Sequence, residues 1–247
     1  MTQTARTRTT TTASRLQGAV VALLLAATTV ACTPDDTADG GATPTDPSAS
    51  GAPVASPSPT STTAAPATPT DVPADVLLPA EVFEASTDAF TETTAVEPWR
   101  IPDSCGDVGA PAAATAMRTH AHGDGMEETV VGVQQVAAFA TADEAVAAAT
   151  ALVEALGACI DESGSGGGFA VEPVAVGAQG HGLATWYYEP GDDAGLGTYL
   201  AVTRRGSAVT LVSGEGGERT VGNARTATVA QTQRAWERLC GYEVAGC

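Results

Sequence analysis

The chain has 247 residues, with 29 acidic side chains against 11 basic ones and a formal net charge of −18. All of those basic residues are arginines; lysine is absent. The acidic surplus repels nucleic acid and offers anionic lipid no polybasic patch, and the lack of lysine excludes a Walker A site, a Schiff-base lysine and a Ser-Lys dyad.

Taken in order, the chain opens with Arg6, Arg8 and Arg15, an apolar run over 19–26, and then Thr29, Val30, Ala31 and Cys32. A basic start, a short apolar stretch and a small residue before the cut are the parts of a secretory signal peptide. The apolar run is well short of the ~20 residues that a spanning helix needs. The stretch resembles a bacterial lipobox, in which the peptide is cut before the cysteine and the thiol takes a diacylglycerol. Thr29 stands where that pattern most often has leucine. The resemblance implies that residues 1–31 are a leader, that Cys32 is lipidated, and that the rest is tethered outside the cytoplasmic membrane. Attachment then comes from the lipid, not from charge.

Residues 32–74 read as the lipidated cysteine and a disordered tether. Nine prolines stand among Thr, Ser, Ala and Asp, and the only larger apolar residues are Val54 and Val72. Such a stretch cannot bury enough surface to offset the entropy of ordering it. Proline bias stiffens it toward polyproline II, with a reach on the order of 130 Å. Ser and Thr beside Pro also permit O-glycosylation. The abundance of Ala, Gly and Thr resembles the usage of a GC-rich actinobacterial genome.

Residues 75–247 read as one folded domain. Pro79 suits the first turn of a short helix running to about Glu84. Residues 97–102 hold two prolines, are irregular, and lead to Cys105. Residues 113–122 and 127–139 read as strands joined at Asp124-Gly125, a hairpin signal. Thr141 and Glu144 form a capping box. Behind it Ala142, Ala145, Val146, Ala149, Leu152, Val153 and Leu156 recur at helical spacing up to Cys159. Residues 164–168 are a glycine-rich connector; a phosphate loop would follow a strand and precede a helix, the reverse of the order here.

Strands are expected over 169–176 and 183–189, and a hairpin over 199–204 and 207–212, with Leu200 opposite Leu211 and Val202 opposite Val209. A last helix over 223–239 has Val229, Thr232, Trp236 and Leu239 on its inner stripe. Strand, strand, helix, Cys therefore occurs twice, at 113–159 and 199–240. The order suits a duplicated half-domain, and equally the commonplace hairpin-plus-helix of α+β folds.

Apart from Cys32 there are four cysteines, Cys105, Cys159, Cys240 and Cys247. An even count outside the membrane reads as two disulfides, with three possible connectivities. A zinc site lacks its usual close C-x2-C pairs. Cys105–Cys159 would pin the proline-rich segment to the end of the main helix, and Cys240–Cys247 would tie down the terminus. Cys159–Cys240 with Cys105–Cys247 is the alternative, favoured if the halves are duplicated.

The pattern resembles the PknH-like extracellular domain of actinobacterial receptor Ser/Thr kinases and of free lipoproteins. The resemblance rests on Leu77-Leu78-Pro79 after a Pro/Thr stalk and a first cysteine at Cys105. It extends to the Ala-rich helix over 143–159 behind the strand ending Ala138-Phe139-Ala140, and to the hairpin over 202–206 before a C-terminal helix. It covers about residues 75–240 and implies an α+β domain with two disulfides and a cleft that senses or binds an unidentified ligand. Cys247, so soon after Cys240, departs from that pattern.

Strand alternation puts Arg118, His120 and His122 on one face, the two imidazoles ~7 Å apart. They suit an anion-binding patch, a three-His metal site if His181 joins them, or an ordinary solvated face. Trp186, Tyr188 and Tyr199 cluster in an aromatic-poor chain; they could line a ligand cleft or simply pack in the core. Asp192 and Asp193 lack EF-hand spacing and read as a solvated loop. There is no G-x-S-x-G, and paired cysteines offer no thiolate.

The expectation is an α+β domain, a mostly antiparallel sheet with two main helices packed on it and two disulfides. Its function is ligand binding or envelope sensing without catalysis, cofactor or resident metal. Its partners are the membrane, through the lipid, and a small ligand or an envelope protein, with no nucleic acid. A protein-interaction module of the cell envelope is the alternative; a hydrolase or metalloenzyme has least behind it.

Overall fold

The computed structural model describes residues 68–83, 89–106, 108–126, 130–159 and 166–246. All lie within one compact unit, Thr60–Cys247. The leader, Cys32, most of the tether and Cys247 lie outside the described residues.

Seven strands form one antiparallel sheet: β1 (Phe90–Thr93), β2 (Ala114–His122), β3 (Val131–Phe139), β4 (Gly168–Pro173), β5 (Ala178–Trp186), β6 (Gly197–Arg205) and β7 (Ala208–Glu215). Their order is β1-β2-β3-β7-β6-β5-β4. Two helices, α1 (Ala142–Gly157) and α2 (Val221–Arg238), complete the α+β architecture. Among the described residues no helix is long and apolar enough to cross a membrane.

The helices cover opposite faces. Ala145, Ala149, Leu152 and Leu156 of α1 pack with Leu200, Val202, Val209 and Leu211. Val221 and Ala224 of α2 pack with Trp186, Tyr199 and Ala201, and Ala235 packs with Val212. Strand alternation thus feeds two cores, and the central strands are buried on both sides. This placement bears on the suspected duplication. Two copies of one hairpin-helix unit, joined antiparallel through β3 and β7, would be related by a twofold perpendicular to the sheet. That twofold would put both helices on the same face, so the recurring order is not a simple repeat.

Local signals explain the elements. The Thr141 hydroxyl accepts from the Glu144 N–H at 3.2 Å while the Thr141 N–H donates to Glu144 Oε2 at 3.0 Å, the reciprocal capping box that starts α1. Ala142 and Val146, expected on the apolar stripe, are exposed. Thr220 caps α2. The buried stripe of α2 is Val221, Ala224, Thr228, Gln231, Thr232 and Ala235, with Val229 and Trp236 only half-buried.

The β6–β7 hairpin has the expected facing but not the expected register. Val202 lies opposite Leu211, and Leu200 opposite Ser213, two residues from the anticipated pairing. The turn is Gly206-Ser207, between paired Arg205 and Ala208. Gly206 sits at φ +52°, where a Cβ would come within 1.9 Å of the Tyr242 carbonyl oxygen. A two-residue turn with glycine at its first central position sets the register. An even shift keeps every side chain on its face, which is why the core survives the change.

Irregular segments cover what the helices leave open. Trp99 and Cys105 pack with Met117 and Phe139 on the α1 face. Cys105 and Cys159 form a disulfide, 54 residues apart in sequence, which pins that segment to the end of α1 as expected. The second expected bridge falls on Cys247, outside the described residues. On the α2 face, Val72, Leu77, Leu78 and Phe83 pack on the sheet. Val72 belongs to the stretch expected to be tether, yet it is buried. The Val72 carbonyl accepts from Arg118 Nε at 2.8 Å, and the Asp71 carbonyl from the Tyr242 hydroxyl at 2.5 Å. Backbone groups with partners and one apolar anchor are enough to order this stretch. Pro79 opens no longer helix; two 3-10 turns, Ala74–Val76 and Ala80–Val82, flank it.

Candidate functional site

β1 pairs with β2 and is the element that the sequence reading missed. Phe90 lies opposite His122, and Glu92 opposite His120. Arg118, His120 and His122 share a face, as alternation predicts. His120 pairs with Gln134 and Gln134 with Val212, so this is the face that carries α2.

Around the two histidines the segment over 74–83 lies over the sheet and borders an open cavity of about 680 Å³. Its walls are Leu77, Leu78, Pro79, Phe83 and Phe90; its polar lining is Asp75, Glu81, His120, His122 and Arg238. Size and make-up, apolar walls with a few converging polar groups, are those of a small-molecule site. Phe83 stacks on His122 with ring centroids 5.1 Å apart. The Phe90 ring lies 5.0 Å from each imidazole, and the imidazoles are 5.9 Å from one another. Gly132 permits the stack: a Cβ there would lie 2.3 Å from the Phe83 ring.

The electrostatics follow from burial. Loss of solvent pushes the His120 pKa below its ordinary value; the Glu92 carboxylate works against this and Arg118 adds to it. Burial likewise lowers His122, with His120 beside it adding and Glu81 opposing. Burial thus favours the neutral form of both rings. Glu92 is shared: one oxygen pairs with Arg118, and the other lies 3.5 Å from His120 Nε2. Arg118 is thus turned to Glu92 and to Val72 and does not border the cavity, so the anion patch expected of Arg118 with the histidines is not assembled. Arg238 donates to the Asp75 carbonyl at 2.6 Å.

His181 does not join the pair. It lies on β5 opposite Val202, whose side chain belongs to the α1 core. It is therefore on the other face and several strands away, its Nδ1 3.2 Å from the Gln179 carbonyl. The three-His grouping falls apart, and among the described residues no set of three metal-ligating side chains is found.

Trp186 and Tyr199 do come together, in the core under α2. Trp186 donates to the Asp192 carbonyl at 2.8 Å. The Tyr199 hydroxyl donates to Glu172 at 2.8 Å, and Arg225 pairs with Glu172 at 2.7 Å. Burial first, then the Glu172 carboxylate, raise the Tyr199 pKa far above its usual value. Tyr188 is exposed and separate, since β5 ends at Trp186. These three do not line one cleft; two are core. Tyr199 does border a second depression of about 590 Å³, between residues 98–103 and the ends of β5, β6 and β7. An Arg100–Glu215 ion pair of 2.5 Å bridges residues that line it.

No family model matches the chain, and no curated protein matches it. Among solved structures it is similar to the extracellular domain of PknH from Mycobacterium tuberculosis, at 15% identity and a TM-score of 0.44. That match covers 66% of this chain and 94% of the other. It is a likeness and does not make the chain a member of that family.

Proposed function

We propose that this chain is a lipid-anchored, extracytoplasmic domain that binds a ligand without transforming it, and that the cavity beside His120 and His122 is where the ligand sits. The observation that carries the reading is that cavity, roomy, mostly apolar and bordered by two buried imidazoles. Location outside the cytoplasm is supported by the leader and Cys32, and by the Cys105–Cys159 disulfide, which persists in oxidising compartments. That bridge also removes two thiols from nucleophilic chemistry. We assign the second bridge to Cys240–Cys247; Cys240 is itself disulfide-bonded.

A thermal-shift screen with fractionated envelope lipids and cell-wall fragments tests the reading, because saturating binding raises the melting temperature by mass action. Ala80 lines the cavity from an exposed position, so Ala80→Trp fills the space at little cost to the fold. A fraction that stabilises the natural chain and leaves Ala80→Trp unmoved supports the proposal. No shift with any fraction, or equal shifts in both chains, counts against it.

A further inference from the structure

We propose that the depression between residues 98–103 and the ends of β5, β6 and β7 is a second ligand site, and that it takes a neutral saccharide. It lies on the α1 face of the sheet, opposite the cavity beside the histidines, and the inference does not depend on that cavity being occupied.

Strand alternation builds the floor. Leu183, Leu200 and Leu211 face α1, and two residues further toward this end of each strand the same face carries Thr185, Thr198 and Ser213. The α1 core thus gives way to a row of hydroxyls. Thr185 and Thr198 are paired directly across β5 and β6, are half-buried, and line the depression of about 590 Å³. Neither threonine hydroxyl is buried or has a hydrogen-bond partner among the described residues. Ser213 is buried and takes no part. Beside the threonines, Arg100 and Glu215 pair at 2.5 Å with 41% and 36% of their side chains exposed. That contact uses a single N–H and a single carboxylate oxygen, which leaves further donors and acceptors on both groups. Tyr187, just past the end of β5, and Ile101, on the 98–103 wall, supply less polar surface.

The ligand chemistry follows from these groups. An apolar molecule would strip water from the threonines and the ion pair and return no hydrogen bonds. An anion would meet Asp103, which is exposed at the same site, on a chain of net charge −18. A cation would compete with Arg100 for a carboxylate that Arg100 already neutralises. A peptide added as a strand needs an unpaired backbone edge, whereas β5, β6 and β7 are all interior to the sheet. A polyol meets every requirement. Its hydroxyls both give and accept, as those of threonine do, so it replaces water group for group without burying a charge. The carbon skeleton of a sugar ring then rests on Tyr187 and Ile101, in a space of the size that ligand sites have.

The test is amide NMR of the full chain titrated with five probes: maltotriose, α-1,6-mannotriose and triacetylchitotriose, which are neutral, trigalacturonate, which is anionic, and the cationic chitosan trimer. At least one neutral trisaccharide is expected to bind, to move the amide signals of Thr185, Thr198 and Arg100, and to bind at least about tenfold more tightly than either charged probe. Thr185→Val/Thr198→Val keeps the side-chain shape and the strand preference and removes both hydroxyls, so it should weaken that binding at least about tenfold. Should that variant fail to fold, the shifts in the natural chain decide alone. No binding by any neutral probe, a charged probe bound as tightly, undiminished binding by the valine variant, or shifts confined to other parts of the chain overturns the inference. Ala80→Trp should bind the sugar as the natural chain does. Loss of sugar binding there would place the sugar in the histidine cavity, making this inference wrong and supporting the ligand-binding reading of that cavity. If no sugar binds while an envelope fraction still gives the shift that Ala80→Trp abolishes, this inference is wrong and that reading stands.

Discussion

Gln134 and Gln135 are neighbours in β3, and their carboxamides serve opposite faces of the sheet. Gln134 Oε1 accepts the Leu78 N–H at 2.6 Å, on the face that holds the cavity. Gln135 Oε1 accepts the Arg100 N–H at 2.6 Å, and its amide donates to the Pro98 carbonyl at 3.2 Å. One dipeptide thus anchors both irregular segments. Either glutamine changed to leucine leaves buried backbone groups unpaired and should cost about 1–3 kcal/mol in urea unfolding. The two differ in function: Gln134→Leu loosens a cavity wall and should weaken ligand-dependent stabilisation, while Gln135→Leu should leave it intact.

Stability should depend on pH through the histidines. Burial lowers the pKa of both His120 and His122 below the ordinary 6.5. The unfolded chain therefore binds more protons than the folded one once pH falls below about 6.5, and stability is lost as pH drops through that value toward the folded pKa values. Above it the pair contributes no pH dependence. Glu92 and Arg118 face His120, Glu81 faces His122, and Asp75 and Arg238 border the same cavity. Urea midpoints between pH 5 and 8 should fall on the acid side for the natural chain and fall less for His122→Phe. Parallel curves would show that the imidazoles are not the cause.

The Cys105–Cys159 bridge closes a long loop, its ends 54 residues apart. In the chain-entropy account such a loop is worth about 4 kcal/mol. Cys105→Ala/Cys159→Ala should lose roughly that much in urea unfolding, and near-ultraviolet dichroism should report Trp99 loosening from the α1 face. Unchanged stability would mean that packing alone holds the segment.

Gly132 supplies a sharper probe of the cavity. Alanine there would drive a methyl into the Phe83 ring and should cost about 1–3 kcal/mol as the ring is displaced. Since Phe83 stacks on His122, ligand-dependent stabilisation should fall as well. Gly157 has nothing within 4 Å of an added Cβ, so Gly157→Ala serves as the control and should leave ligand response unchanged.

The sequence made legible what local chemistry decides. Thr141 and Glu144 announce the start of α1, Asp124-Gly125 marks the turn region between β2 and β3, and alternation places His120 beside His122. The walls of the cavity were hidden because each depends on a distant partner. β1 is four residues long and largely exposed, so it carries no strand pattern of its own; it exists because β2 offers an edge. Val72 reads as tether by composition and is ordered by its burial in the cluster with Leu77, Val136 and Ala138 and by the bond from Arg118 to its carbonyl. Phe83 reaches His122 only because position 132 has no side chain. His181 looked like a third ligand because spacing along a chain does not say which face, or which strand, a residue lies on.

The central claim is that the cavity beside His120 and His122 holds a ligand. Native mass spectrometry of the protein isolated from the envelope of the cell that makes it, beside Ala80→Trp prepared in the same way, tests this most directly. The account predicts a bound small molecule of one defined mass on the natural chain, released on unfolding and missing from Ala80→Trp. The same adduct on both chains, or a bare natural chain that no envelope fraction can load, would contradict it.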